Sequence, residues 1–367
     1  MAEQITSAAQ QPLRVLCLDG GGMRGVYTAT YLSCVAEGFA RKRKVPALDI
    51  GAAFDLIVGT STGAILACAL AIEVPPDRVV QLYRHHGPTI FSRKLPGSLG
   101  VNLVRGLRGR KEALRKGADA LRSALHECFG NITLAEVYAG RSIALAIPAV
   151  ELSQHHAWVF KTPHHPNTNH RDDKYRLVDV CMATTAAPLF RSLASIPHPT
   201  GIPGERIFAD GGLWANNPVL VGLIDALEIA NPGQSIEIFC LGTCPRPAGD
   251  DIKNVTLDRG LVEWRFGGEA AKLAIDAQEF AYDNMARMLA RHVDRQCSIV
   301  RFPRQNVPAA LMPYLDLDDT RTEALDALTN QARTDADMTN SACGDEHNPE
   351  GQLIKRLFLA MPERGAK

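Results

Sequence analysis

The segment from Phe54 to Ala71 constrains this chain more than any other. Phe54 to Val58 is an apolar run. Gly59-Thr60-Ser61-Thr62-Gly63 is a turn, and Ala64 to Ala71 is a run of small residues suited to a buried helix. That strand–turn–helix setting is what a G-x-S-x-G nucleophile elbow requires. The serine sits on a cramped turn with its hydroxyl exposed, and the glycines remove Cβ atoms that would clash there. Taken alone, the pentapeptide serves equally well as a tight strand-to-helix turn with no chemistry. Its meaning depends on what the rest of the chain brings to it.

The same strand–loop–helix pattern occurs upstream. Val15 to Leu18 is a short apolar run ending in Asp19-Gly20-Gly21-Gly22, and Val26 to Ala36 reads as helical. Downstream, Ile143 to Val150, Ala157 to Phe160 and Arg206 to Ala209 read as strands, the last leading into Asp210-Gly211-Gly212. Leu177 to Ala186 and Pro218 to Ala230 read as helices, the latter with proline in its first turn. Ile236 to Leu241 closes the series as a last buried strand. Alternating strands and helices predict a parallel sheet covered on both faces, with sites beyond the carboxyl ends of its strands. All three glycine-rich segments fall at strand ends, so they can converge on one edge.

The chain has 367 residues, enough for one large α/β domain with insertions or for two domains. Apolar residues make up 46% and charged residues 22%, as in ordinary globular proteins. The formal net charge is zero, so no global field favours nucleic acid or an anionic membrane. DNA and RNA are therefore not expected as partners. The nine cysteines are scattered, and Cys17, Cys34, Cys68 and Cys181, which sit in apolar runs, read as small buried hydrophobes of a reducing compartment. Cys240 and Cys244 make a weak zinc half-site with nothing to complete it. Met1 to Pro12 lacks an apolar signal core, and the longest apolar stretch, Phe54 to Val74, contains the elbow. A cytoplasmic protein is expected, one that would meet a membrane from outside the bilayer core.

Residues 93 to 123 are rich in Arg and Lys with Leu and Val among them. They read either as a solvated helical insertion or as an amphipathic cap touching anionic headgroups. From Asp250 onward, Glu269 to Leu289 and Thr320 to Met338 read as helices with polar faces.

A serine that cleaves an ester needs a base within hydrogen-bond reach and fixed donors for the charge on the carbonyl oxygen. Gly20, Gly21 and Gly22, ahead of a helix N-terminus, can offer unobstructed N–H groups as an oxyanion hole, and Arg24 adds a positive charge nearby. Asp210, at a strand end before two glycines, can serve as the base. The first loop has a rival reading, because Gly20-x-Gly22-x-x-Gly25 also matches a dinucleotide fingerprint, with Asp49 as its acid. Against that reading, Asp49 does not end a clear second strand, and a dinucleotide site has no use for Ser61 or Asp210. His155, His156, His164, His165 and His170 cluster in a Pro- and Asn-rich stretch that reads as a solvated loop in preference to a metal site. A Ser–His–Asp triad would have only His292 and His347 after Asp210 to draw on. Trp158, Trp214 and Trp264 read as packing residues.

Asp19-Gly-Gly-Gly-Met-Arg-Gly25, Gly59-Thr-Ser-Thr-Gly63 and Asp210-Gly-Gly212, in this order, resemble the patatin-like phospholipases. Ala186-Ala187-Pro188 and Asn216-Asn217-Pro218 resemble further segments of that family, and the likeness covers roughly residues 13 to 245. It implies a three-layer α/β/α fold with a mainly parallel central sheet. A catalytic domain would span 13–245, with a basic helical insertion at about 93–130, and a mainly helical C-terminal region, 246–367, would pack on or cap it. It implies a Ser–Asp dyad without histidine: Ser61 as nucleophile, Asp210 as general base, Gly20, Gly21 and Gly22 as oxyanion hole assisted by Arg24. No metal or catalytic cofactor is implied, and the substrate class is glycerolipid acyl esters, cleaved without calcium. His156 to Pro163, Cys181 to Pro188, Phe190 to Ala194 and Gly211 to Pro218 resemble, more narrowly, bacterial patatin effectors of anti-phage nucleotide signalling. Those are switched on by a cyclic dinucleotide such as cGAMP and degrade membrane phospholipid. The implied partners are therefore membrane phospholipid, met peripherally at the inner membrane, and a cyclic dinucleotide, with room for a homo-oligomer. A constitutive lipase, or a non-catalytic binding module on the same scaffold, are the alternatives. Intact Ser61, Asp210 and triple glycine argue against the latter.

Overall fold

Side chains pointing alternately into two apolar clusters organise the centre of the molecule. The computed structural model describes residues 10–92, 109–199, 201, 203–244, 257–260, 264, 268–303 and 307–365. In strand β1 (Leu13–Leu18), Leu13, Val15 and Cys17 join one apolar cluster while Leu16 and Leu18 join another. Strand β2 (Leu56–Gly59) divides in the same way, Leu56 and Val58 against Ile57. Both faces of these strands are apolar because helices cover both, as expected for parallel strands at the middle of a sheet. Helices α1 (Gly25–Arg43), α2 (Thr62–Ala71), α3 (Pro76–Ile90) and α4 (Arg110–Phe129) supply the larger cluster.

After α5 (Leu134–Arg141), opened by a Thr133–Glu136 capping box, β3 (Ala144–Glu151) runs parallel to β2. Strand β4 (His156–Lys161) folds back on β3 as an antiparallel hairpin, where the alternation of elements suggests a parallel strand. Only a short turn separates the two, and a parallel crossover needs a dozen residues or more. Helix α6 (Leu177–Thr184) leads to β5 (Ala194–Pro197), a short strand with no clear sequence signal, and to β6 (Glu205–Asp210), antiparallel to β3. Helices α7 (Gly212–Ala215) and α8 (Val219–Ile229) precede β7 (Ile236–Leu241), which is parallel to β1. Helix α9 (Gly268–Ala290) packs with α8 over the second face. Ile236–Leu241 is not the last strand: β8 (Cys297–Phe302) extends the sheet beyond it in parallel. Helices α10 (Thr322–Ala342) and α11 (Pro349–Ala360) then pack against α1. The sheet order is β5-β6-β3-β2-β1-β7-β8, with β4 on β3, which makes a mixed, mainly parallel sheet between helical layers.

Register explains how three separate segments meet. Leu18 is paired with Gly59, so Asp19–Gly22 and Thr60–Ser61 leave the same edge. Strand β4 occupies one side of β3 from Ala146 to Glu151, so β2 and β6 must share the other. β2 pairs with β3 as far as Val58↔Ala146, and β6 comes in from beyond the edge to pair Asp210 with Ala149. Strand β6 therefore ends head-on against the elbow. The expected convergence occurs, but Asp210 arrives on an antiparallel strand.

Of the basic stretch, residues 93–108 lie outside the described residues. In α4, Leu121, Leu125 and Phe129 face the core, while the outward Arg115 and Lys116 pair with Glu112 of the same helix. Arg122 pairs instead with Asp179 of α6. The stretch after 246, expected to be mainly helical, also contributes β8.

Candidate active site

The elbow is built by close approach. A Cβ on Gly63 would stand 2.3 Å from the carbonyl oxygen of Leu18, so only glycine lets α2 begin this near the end of β1. Ser61 is forced to φ 52° and ψ −120°, a region that a side-chain-bearing residue enters only when its surroundings hold it there. Its N–H donates to Thr184 Oγ1 at 2.9 Å, and the Thr184 hydroxyl donates to Pro148 O at 2.6 Å. The last residue of α6 thus ties the elbow to β3.

Ser61 Oγ donates to Asp210 Oδ2 at 2.8 Å, and Gly212 N–H donates to Asp210 Oδ1 at 2.7 Å. Both Ser61 and Asp210 are buried. Burial pushes the Asp210 carboxyl up to about 6, against the opposing pull of Gly212 N–H, the Ser61 hydroxyl and Arg191. A base poised just below neutrality is suited to accept a proton from serine and return it.

The glycine loop resolves into distinct roles. Gly20 N–H is taken by Asn216 O at 3.0 Å, and Gly21 N–H points at Thr62 Oγ1 at 3.2 Å. Among the described residues the N–H groups of Gly22 and Thr62 make no hydrogen bond, and both residues line the cavity that contains Ser61 and Asp210. Gly22 has φ +58°, and a Cβ there would lie 2.2 Å from Leu317 O. Gly22 and Thr62, the latter at the positive end of the α2 dipole, are therefore the donors free to meet a developing oxyanion. Arg24, expected beside the oxyanion, does not line that cavity. It is buried behind the loop, its Nε donating to Gly21 O at 3.4 Å, where it can brace the loop.

Apart from this polar end, the cavity is apolar, walled by Ile65, Ile90, Phe91, Leu121 and Leu213 among others. Such a lining suits an acyl chain. Two residues of the site are not singled out individually by the sequence, although the segments that hold them, Cys181–Pro188 and Phe190–Ala194, carry the narrower resemblance. Thr184 lies inside a mixed apolar run. Arg191 lies in the loop Ala187–Arg191, lines the cavity and is buried; its charge in an otherwise apolar stretch is the signal particular to it.

The remaining suspects lie elsewhere. Asp49 pairs with Arg141. His292 and His347 do not line the cavity. Within the histidine cluster His164 is an exception to the solvated-loop reading: its side chain is buried 3.5 Å from Asp225, which also pairs with Lys161. No group of metal-ligating side chains occurs among the described residues, and all nine cysteines are free. Trp214 Nε1 donates to Ala149 O at 2.9 Å, and Trp158 lies under the guanidinium groups of Arg171 and Arg206. Both pack within the fold. Among the described residues, no helix is long and apolar enough to cross a membrane.

Comparison with known proteins adds to this geometry. The family profile described as patatin-like phospholipase matches residues 16–223. A cGAMP-activated phospholipase of Escherichia coli (strain TW11681) is 37% identical, over 96% of this chain and 95% of that protein. Another, from Pseudomonas aeruginosa, is 35% identical over 74% of each chain, and one from Vibrio cholerae is 28% identical over 91% of this chain and 94% of its own length. Among solved structures, VipD from Legionella pneumophila aligns over 88% of this chain and 68% of its own at 13% identity and a TM-score of 0.36, a loose likeness only.

Proposed function

Because the chain belongs to the patatin-like phospholipases, and is thus a carboxylic ester hydrolase, we propose that it cleaves membrane phospholipid through a Ser61–Asp210 dyad switched on by a cyclic dinucleotide. The observation that carries the dyad is the 2.8 Å hydrogen bond from Ser61 Oγ to Asp210 Oδ2 at the end of an apolar cavity. Asp210 takes the proton of Ser61 as Oγ bonds to the ester carbonyl carbon. The charge moves to the carbonyl oxygen, where the N–H groups of Gly22 and Thr62 receive it. Collapse breaks the bond to the glycerol oxygen, and Asp210 returns its proton to that leaving group. Water, deprotonated by Asp210, then attacks the acyl-serine, releasing fatty acid and restoring both residues. Exposed Leu189 and Leu213 line the same cavity and support peripheral contact with the lipid surface.

Control by nucleotide rests on the relatives, three of which are named for activation by cGAMP. Moving an enzyme from about 1% to 99% active needs ~5.5 kcal/mol of differential affinity for the two states. Fatty-acid release from phosphatidylglycerol vesicles, measured with and without cGAMP and with and without EDTA, tests the whole reading. Release is expected only with cGAMP, unchanged by EDTA, and reduced at least ~10³-fold in Ser61→Ala and Asp210→Asn. Full basal activity unaffected by any cyclic dinucleotide would make this a constitutive lipase. Wild-type rates in either variant would remove the dyad.

A further inference from the structure

Arg191 is a cation without an obvious reason to be where it is. It is 8% exposed, its Nε is enclosed with no hydrogen-bond partner, and its guanidinium makes no ion pair among the described residues. Its nearest charge influences are Asp210 and Tyr83, and it lines the cavity together with Ser61. Burial drives its ionisation down to about 10, against the opposing pull of Asp210 and Tyr83, and it is still charged at neutral pH. Burying a guanidinium at a cavity whose lining includes Ile90, Phe91, Leu121 and Phe190 costs several kcal/mol unless something compensates it. Asp210 compensates only while it is ionised, and it gives that charge up each time it accepts the Ser61 proton.

An apolar acyl tunnel explains the other walls of this cavity but not this side chain. A diacylglycerol offers nothing anionic to a guanidinium. A glycerophospholipid carries a phosphodiester on the glycerol carbon next to an ester-bearing one. When that ester reaches Ser61, the phosphate is held a few covalent bonds away, close to the cavity that Arg191 lines. A planar guanidinium with free donors is the group best suited to take two phosphate oxygens.

We propose that Arg191 binds the phosphodiester of the substrate, making the cavity selective for phospholipid over neutral glyceride. The proposal rests on the ester-hydrolase reading of the cavity. In this role Arg191 orients the lipid by its phosphate and takes no part in proton transfer.

The test compares two substrates in detergent micelles, dihexanoyl phosphatidylglycerol and dihexanoylglycerol, hydrolysed by the full chain with cGAMP present. The ratio of their kcat/KM values is the readout. In Arg191→Gln the ratio is expected to fall about 30-fold, equivalent to ~2 kcal/mol at 1.4 kcal/mol per tenfold, chiefly through KM for the phospholipid. Arg191→Lys, which keeps the charge but not the fork, is expected to recover part of it. Equal losses on both substrates would instead make Arg191 an oxyanion or framework residue, and would overturn the proposal. Should the variants not fold, the wild type still decides, because equal efficiency on the two substrates is fatal to the idea. Absence of hydrolysis of either ester by wild type counts against the hydrolase reading itself, a separate outcome.

Discussion

Burial of Asp210 acts on rate and on stability in opposite directions. Its carboxyl is ordinarily half-ionised at 3.8 and is pushed to about 6 in the fold. Between those two values the native state holds a proton that the unfolded chain has released, so stability falls as pH rises through that window. Above pH 6 the full penalty is present, about two pH units or ~3 kcal/mol. Activity should run the other way, since the proposed base must be ionised, and kcat/KM is expected to climb with pH to a plateau above about 6. Asp210→Asn removes the titrating group. The inactive variant is expected to be up to ~3 kcal/mol more stable than wild type at pH 7.5, with the gap closing toward pH 4. Urea unfolding at the two pH values measures this. A gap of equal size at both would mean that the carboxyl is not held above its ordinary range. At this scale the sequence is informative wherever chemistry needs a residue at a strand end, as with Ser61 and Asp210. It marks Arg191 and Thr184 only as members of two resembling segments, because their importance comes from burial and from partners far along the chain.

Close approach of elements, more than any one contact, makes the site. Helix α2 begins where it does because Gly63 lets its first turn lie on the Leu18 carbonyl, and this brings Thr62 to the cavity that Gly22 also lines. Gly63→Ala puts a Cβ 2.3 Å from a backbone oxygen that cannot swing aside, so the helix must move. The expected cost is ~2 kcal/mol or more, with loss of at least ~10²-fold in activity from the displaced donors. Gly140→Ala is the matched control. It lies inside α5 with nothing within 4 Å of its added Cβ, and should gain up to ~1 kcal/mol of stability from helix propensity with no loss of activity. Thermal melts and initial rates on the pair check both, and similar behaviour of the two would refute the packing argument. The helix-opening glycines are legible because they sit in motifs. The pairing of β4 and β6 is not, because an apolar run does not state its direction. Strand β8 escapes a reading of the sequence because Arg301 interrupts its apolar run, and that arginine is itself explained only by Asp19 and Asp283, which it joins across the fold.

The C-terminal stretch is bound into the catalytic core at three levels. Strand β8 covers the edge of β7 with a full parallel register from Ile236↔Cys297 to Leu241↔Phe302. Helix α10 lies along α1, where Tyr27 OH donates to Asp335 Oδ2 at 2.5 Å and Tyr31 OH meets Thr339 Oγ1 at 2.7 Å. Between them Leu317 O accepts the N–H of Met23 at 2.8 Å, directly beneath the Gly22 turn, and Leu317 also lines the cavity. Cutting the chain after Val293 would leave β7 as an unpaired apolar edge, uncover the α1 face around Tyr27, Tyr31 and Phe39, and free the oxyanion loop from its support. Exposed apolar edges of this kind aggregate. The fragment ending at Val293 is therefore expected to be insoluble, or soluble but without activity at any cGAMP concentration, whereas the full chain is expected to remain in solution and to respond to cGAMP. Size-exclusion chromatography with circular dichroism reads the first property, and fatty-acid release reads the second. A monomeric, folded and fully active fragment would show that these contacts are dispensable. Because the link at Leu317 touches the Gly22 turn itself, a small shift of this stretch relative to α1 would alter the proposed oxyanion donors before it altered the proposed dyad. Any signal acting through it should therefore change kcat more than KM.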